Sequence, residues 1–307
     1  MKAAPFAYHC PTTADEVAGL LARYGDEAKV IAGGQSLVPI LALRLGAFEH
    51  LVDLRLVEGL TGIEPVHDAA ASGQASAQAG RPASAVRIGA ATTQAAIERS
   101  EEIAGSVPLL SRATPLIGHL QIRNRGTLGG SLAHADPAAE YPAVVLTLDA
   151  QLEVLSPTGP RTIAAADFFE GMWTTAVGDD ELLTAVTFPV WAGRCGFAVE
   201  ELARRHGDFA IAGACVALRL DQHDAVDRCA VGLFGLGATP LRATAAEAAA
   251  VGNPADALDA DELGRLATEG LDGVLGDVHG PAEYRRRVGA AMVARGWRRA
   301  IEEARHG

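Results

Sequence analysis

The sequence predicts an α+β protein in which segments of alternating helices and strands precede a separate C-terminal unit. Three observations indicate this. The chain has 307 residues, and at about 150 residues per domain this length corresponds to two domains. In the first part of the chain, apolar residues alternate between helical spacing and strand-like runs. After about residue 190, apolar runs separated by polar turns precede helical patterns, which is typical of an α+β unit.

The N-terminal segment reads as a helix over "TADEVAGLLARYG" and a strand at "AKVIA". Val17, Leu20, Leu21 and Tyr24 fall at helical spacing, and Gly25 is expected to end the helix. A second helix in "LVPILALRLG" and a strand in "HLVDLR" follow. This segment therefore alternates helix and strand.

The next segment begins with a stretch rich in Ala, Ser, Gly and Gln at residues 67–86, which indicates an extended hairpin tip or a flexible excursion. The stretch "VRIGAATTQAAIERS" then predicts strand, turn and helix, with Thr92 or Thr93 as the cap. A further helix is expected to begin with Asp136 as its N-cap and Pro137 at its first position. The later segment "QLEVLSPTGPRTIAAADFF" predicts a strand and a hairpin turn, and "ELLTAVTFPV" predicts another strand.

Composition and charge exclude several classes of protein. The net charge of −12 argues against nucleic-acid binding, which depends on neutralising phosphates. The sequence lacks a signal-peptide pattern and an apolar run long enough to cross a membrane, so we expect a cytoplasmic protein. The four cysteines are scattered singly, without the spacing that zinc or an iron–sulfur cluster requires. We therefore expect no metal site in this chain.

Two Gly-Gly turns are the strongest chemical signal, "AGGQSL" at residues 32–37 and "RGTLGGSLAHADPAAE" at residues 125–140. In each, small residues allow successive backbone N–H groups to converge on one point, which suits phosphate oxygens. Ser36, Thr127 and Ser131 could add hydroxyl donors. A single such pair is usually only a tight turn, but two with matching chemistry favour a pyrophosphate site.

Other signatures of chemistry are absent. The sequence has no P-loop, and "GLFGLGATPLRA" places Pro240 where a Rossmann fingerprint needs its third glycine. It has neither a nucleophile elbow nor a zinc-protease motif. His134, Asp136 and Glu140 are close in sequence and could suggest metal ligation, but their spacing matches no metal motif. We therefore predict no catalytic residue and no metal ligand.

These motifs resemble those of the medium, FAD-binding subunits of molybdenum hydroxylases, the family of carbon monoxide dehydrogenase and xanthine dehydrogenase. The resemblance covers nearly the whole chain and includes both Gly-Gly turns. It implies a PCMH-type FAD-binding domain of two α/β subdomains, residues 1–58 and 59–188, followed by a C-terminal α+β domain, residues 189–307. It also implies that FAD is bound without a covalent link.

The resemblance also implies which residues surround the flavin. Ile117 and Ile122 would pack beside the cofactor, Glu140 would be an acidic residue near the flavin, Leu183 an apolar neighbour, and Phe209 a cover for one ring face. An ordinary core phenylalanine is an alternative for Phe209. The first phosphate turn would consist of Ala32, Gly33, Gly34, Gln35, Ser36 and Leu37, and the second of Thr127, Leu128, Gly129, Gly130 and Ser131.

The family implies partner subunits as well. Electrons would pass from molybdenum on a large molybdopterin-binding subunit, through clusters on a small iron–sulfur subunit, to FAD on this chain and then to an external acceptor. A heterotrimer or a dimer of heterotrimers is the expected assembly.

The sequence leaves two alternative functions open, a self-sufficient FAD-dependent oxidase or dehydrogenase and a flavin-free scaffold. One departure stands out, because relatives often carry a lysine where this sequence has Glu200 and Glu201.

Overall fold

A computed structural model describes residues 2–67 and 83–306. The N-terminal segment forms a parallel three-stranded sheet in the order β1-β3-β2. Thr13 and Glu16 form a capping box at the start of the first helix, which ends at Gly25 with a φ of 51°, as predicted. The elements in order are β1 (Ala7–His9), α1 (Ala14–Tyr24), β2 (Ala28–Ile31), α2 (Leu37–Leu43) and β3 (His50–Asp53).

The second segment forms an antiparallel five-stranded sheet in the order β4-β5-β10-β6-β7, covered by short helices. Of the Ala- and Ser-rich tract at residues 67–86, positions 68–82 lie outside the described residues, and Ala85 and Val86 belong to β5. The elements are β4 (Ile63–Val66), β5 (Ala85–Gly89), α3 (Gln94–Glu98), α4 (Glu101–Ser106), α5 (Pro108–Ala113), α6 (Leu120–Arg123), α7 (Leu128–His134), α8 (Glu140–Thr147), β6 (Gln151–Ser156), β7 (Gly159–Ala164), β8 (Phe169–Gly171), β9 (Thr174–Thr175) and β10 (Leu182–Pro189).

The start of α8 corrects one prediction. The helix begins at Glu140 with Ala139 as its N-cap, so Asp136 is not the cap. The Asp136 carboxylate instead accepts a hydrogen bond from the Ala138 amide within the preceding turn, at 2.9 Å. Pro142 explains the shift, because proline is tolerated in the first turn of a helix but breaks a hydrogen bond further inside. If the helix began at Pro137, Pro142 would lie beyond its first turn.

The C-terminal segment is an antiparallel sheet in the order β11-β12-β13-β14, followed by three helices. The last helix covers one face of the sheet, with Trp297, Met292 and Ala300 buried. On the other face, α8 of the preceding segment packs on β13, where Gly232 leaves room for Thr147. The elements are β11 (Arg194–Leu202), β12 (Ala212–Leu220), β13 (Val226–Phe234), β14 (Leu241–Arg242), α9 (Thr244–Ala250), α10 (Ala260–Thr268) and α11 (Ala282–His306).

The sheet thus lies between α8 and α11, and this packing joins the C-terminal unit to the rest of the chain. A second tie is the ion pair between Arg112 of α5 and Glu303 of α11, at 2.6 Å. Across residues 2–67 and 83–306, no helix combines the length and apolar character needed to cross a membrane.

Candidate functional site

The first Gly-Gly turn links β2 to α2 and leaves its backbone amides available. Gly34 has a φ of 73°, a conformation that favours glycine, and the Gln35 side chain donates to the Gly33 carbonyl at 2.9 Å. Within the part of the chain that the structure describes, the amides of Gly33, Gly34, Gln35 and Ser36 donate no hydrogen bond. These four residues are only half-buried. The turn can therefore offer several N–H groups to an anion.

The second Gly-Gly turn is different, and here the expectation of free amides is wrong. The Leu128 amide donates to the Thr92 carbonyl at 3.0 Å, and the Gly129 amide to the Ala90 carbonyl at 2.7 Å. The Gly130 amide donates to the Thr127 side-chain oxygen at 3.0 Å.

These bonds fix the second turn against the end of β5. The Ser131 amide is used too, because it donates to the Thr127 carbonyl at 3.1 Å. The Ser131 hydroxyl, by contrast, makes no hydrogen bond with any described residue and is half-buried. The Ser131 hydroxyl is therefore a polar group of the second turn that remains available to a ligand.

The structure brings the two turns into direct contact. A Cβ atom on Gly33 would overlap the Arg125 carbonyl oxygen and lie 2.9 Å from the Gly126 Cα. A Cβ atom on Gly130 would lie 3.8 Å from the Ala32 side chain. Glycine at position 33 is therefore required by the close approach of two backbones. The free amides of the first turn consequently lie beside the small residues of the second.

Ile117 lies in the loop before α6 and Ile122 lies within α6, and a buried arginine of α6 holds this loop in place. Gly118, between them, has a φ of 51°, and a Cβ atom there would lie 3.2 Å from Ile122. Arg123 donates to the carbonyls of Ile117 and Gly118 at 3.1 and 3.2 Å. It also forms an ion pair with Glu98 at 2.8 Å. Nothing in the neighbouring sequence distinguishes Arg123 from the exposed residues around it, so its role could not be predicted from the sequence.

Phe209 lies where the C-terminal sheet meets this loop. Its loop joins β11 to β12, and Gly207 of that loop approaches Gly118 so closely that a Cβ atom would lie 3.0 Å from the Gly118 carbonyl. Phe209 is 64% exposed, so it is not an ordinary core phenylalanine. It lines a cavity of about 680 Å³ together with Asp136 and Met172. An exposed aromatic ring at a cavity is suited to stacking on a planar ligand.

Leu183 and Glu140 are both buried, in different surroundings. Leu183 is part of β10 and is 6% exposed within the main core. Its neighbour Thr184 accepts a hydrogen bond from the Ala90 amide at 2.8 Å, which ties this strand to the second turn. Glu140 is also 6% exposed. Burial, with a contribution from the charge of Glu201, raises the pKa of the Glu140 carboxyl to about 8.

Two family models cover almost the whole chain. Residues 4–191 match the FAD binding domain in molybdopterin dehydrogenase, and residues 197–300 match the CO dehydrogenase flavoprotein C-terminal domain. The chain belongs to the FAD-binding medium subunits of the molybdenum hydroxylases. This confirms the resemblance and the fold class, and it identifies the chain as an FAD-binding subunit of an oxidoreductase.

Individual relatives of this family are similar over their full length. The chain is 37% identical to the 6-hydroxypseudooxynicotine dehydrogenase complex subunit alpha of Paenarthrobacter nicotinovorans, covering 99% of this chain and 97% of the relative. It is 37% identical to the carbon monoxide dehydrogenase medium chain of Afipia carboxidovorans, covering 98% and 96%. A solved structure of reconstituted CO dehydrogenase from Oligotropha carboxidovorans matches with a TM-score of 0.90 at 36% identity, covering 99% of this chain and 100% of that one.

Proposed function

We propose that this chain binds FAD noncovalently at the two glycine turns and relays electrons from a partner's iron–sulfur clusters to an external acceptor. The observation that carries the proposal is the first turn, whose free amides at Gly33, Gly34, Gln35 and Ser36 lie against the second turn. Such a nest of N–H groups suits the pyrophosphate of FAD. The residues present therefore fit the cofactor of the family.

Most of the predicted residues then have a specific part in holding FAD. The amides of the first turn, including that of Leu37, and the Ser131 hydroxyl would bind phosphate oxygens. Leu128, Gly129 and Gly130 would shape the site without donating, since their amides are used within the protein. Phe209 would cover one face of the flavin ring, and Leu183 would support the site from the core. FAD supplies the redox chemistry when bound, because it exchanges electrons singly or in pairs.

The partner subunits follow from the family and from the cysteines. The thiols of Cys10, Cys195, Cys215 and Cys229 are all free, and two of them are buried. Clusters would therefore be held by a small iron–sulfur subunit, and molybdopterin by a large subunit, as a heterotrimer or a dimer of heterotrimers. Relatives named as subunits of dehydrogenase complexes support this assembly. Free thiols also support a reducing compartment, the cytoplasm.

Acid release of the flavin tests the cofactor proposal directly. The full chain is purified with its bound flavin and precipitated with acid, and the flavin is identified by chromatography. We expect a colourless pellet and a yellow supernatant that contains FAD. A yellow pellet would show a covalent link. FMN in the supernatant, or a colourless protein that does not take up added FAD, would contradict the proposed site.

A further inference from the structure

Two carboxyl groups from different domains lie in the contact between α8 and the C-terminal sheet. Glu140 is the first residue of α8 and is 6% exposed. Glu201 is near the end of β11 and is half-buried. Next to Glu140, the Pro137 carbonyl accepts a hydrogen bond from the Gly235 amide at the end of β13, at 2.8 Å. The start of α8 is thereby held on the sheet.

The strand register places Glu201 on the face of the sheet that α8 covers. Its neighbour Glu200 lies on the opposite face, where it pairs with Arg299 of α11 at 2.5 Å. Successive side chains on a strand point to opposite faces. In the strand register, Glu201 of β11 lies opposite Gly213 of β12, and Gly213 lies opposite Phe234 of β13. The Phe234 ring lies over Gly213, so Glu201 borders an apolar layer.

No cation neutralises these two carboxyl groups within the described residues. Neither Glu140 nor Glu201 forms an ion pair, and one carboxyl oxygen of Glu201 is buried without a hydrogen-bond partner. The charges that act on Glu140 are those of Glu201 and Asp136, and Tyr141 of α8 and Cys215 of β12 lie beside it. Arg123 and Glu98 act on Tyr141, and these two are paired with each other at 2.8 Å. Burial raises the pKa of the Glu201 carboxyl to about 7.

We propose that Glu140 and Glu201 retain at least one proton between them near neutral pH, and that its loss weakens the contact between the FAD-binding and C-terminal domains. Two carboxylates at one buried site cannot both ionise without a large penalty. The consequence extends to the flavin site, because the loop that carries Phe209 directly follows β11. Only this effect on the flavin site rests on the proposed function, since the protonation of Glu140 and Glu201 concerns the chain's own residues.

The direction of the pH dependence follows from linkage. Both pKa values are raised in the folded protein, to about 8 and about 7, above the value of 4.5 for an ordinary glutamate. The stability contributed by the protonated pair is therefore complete below about pH 4.5 and is lost as the pH rises to about 8. Carboxyl groups whose pKa is lowered by ion pairs, such as Glu303, have the opposite effect, because the stability that they contribute is lost as the pH falls into the acidic range.

The test is the thermal unfolding midpoint of the full chain between about pH 6 and about pH 9, measured with and without added FAD. We expect the midpoint of the wild-type chain to fall by about 5 °C across this range. The double variant Glu140→Gln/Glu201→Gln should lose most of this fall. The control Glu200→Gln removes a carboxylate from the opposite face of the same strand and should keep the wild-type slope, whatever its overall stability.

The proposal would be overturned if the unfolding midpoint of the double variant fell with pH as steeply as that of the wild-type chain. It would also be overturned if the wild-type midpoint did not change with pH. If the double variant does not fold, infrared spectroscopy of the wild-type chain gives a second reading. The absorption of a protonated carboxylic acid should persist at about pH 7, and its absence would overturn the proposal. Because the chain without FAD is measured as well, failure to bind FAD would leave this result intact.

Discussion

Replacing Gly33 with alanine should separate the two glycine turns and weaken FAD binding. The added methyl group would overlap the Arg125 carbonyl oxygen and lie 2.7 Å from its carbonyl carbon. Since both neighbours are backbone atoms, the turns must move apart by about 1 Å, and overpacking of this kind costs about 1–3 kcal/mol. If that cost falls on the bound state, FAD affinity decreases by about 5-fold to 150-fold.

The assay is a fluorescence titration of FAD into the flavin-free chain, with circular dichroism as a check on folding. Gly19→Ala is a matched control, because Gly19 is an exposed position in α1 with no atom within 4 Å of an added Cβ. It should stabilise the helix by about 1 kcal/mol and leave the affinity unchanged. A folded Gly33→Ala variant that binds FAD as tightly as the wild-type chain would refute the contact between the turns as a determinant of binding.

Three further substitutions separate stability from binding. Thr127→Ala removes the acceptor for the Gly130 amide and should lower the free energy of unfolding by about 1 kcal/mol in a denaturant titration. Ser131→Ala should keep the fold but weaken FAD binding by about 10-fold to 150-fold, because a hydrogen bond to a charged phosphate contributes about 1.5–3 kcal/mol. Unchanged affinity would exclude Ser131 from the site. Arg123→Ala should destabilise the chain by about 3–5 kcal/mol, against about 1 kcal/mol or less for the exposed control Arg265→Ala. Equal losses for the two arginine variants would contradict the structural role of Arg123.

Local signals in the sequence predicted local structure well. Gly25 ends α1 as expected, since capping depends on residues within one turn of the chain. Thr93 caps α3, and Gly34 adopts the positive φ that a glycine turn allows. The alternation of helix and strand followed from apolar spacing for the same reason. The resemblance to the family rested on longer stretches that include both Gly-Gly turns.

The wrong or missing predictions concern contacts between distant parts of the chain. In the second glycine turn, the Leu128 and Gly129 amides donate to the carbonyls of Thr92 and Ala90, just after β5, and no local pattern shows that pairing. The role of Arg123 depends on Glu98, on a different helix. The proximity of Glu140 to Glu201 depends on α8 packing across a sheet from the next domain. Such features require the tertiary fold.

The most direct measurement of the central proposal is electron transfer into the bound flavin from a purified partner. The chain loaded with FAD is mixed anaerobically, in a stopped-flow instrument, with the chemically reduced iron–sulfur subunit from the same host, and bleaching of the flavin absorbance is followed. The same chain without that subunit is mixed with the substrate of the native complex as the comparison. The account predicts rapid bleaching with the iron–sulfur subunit and none with substrate alone. Rapid reduction by substrate alone would contradict it and would favour a self-sufficient oxidase.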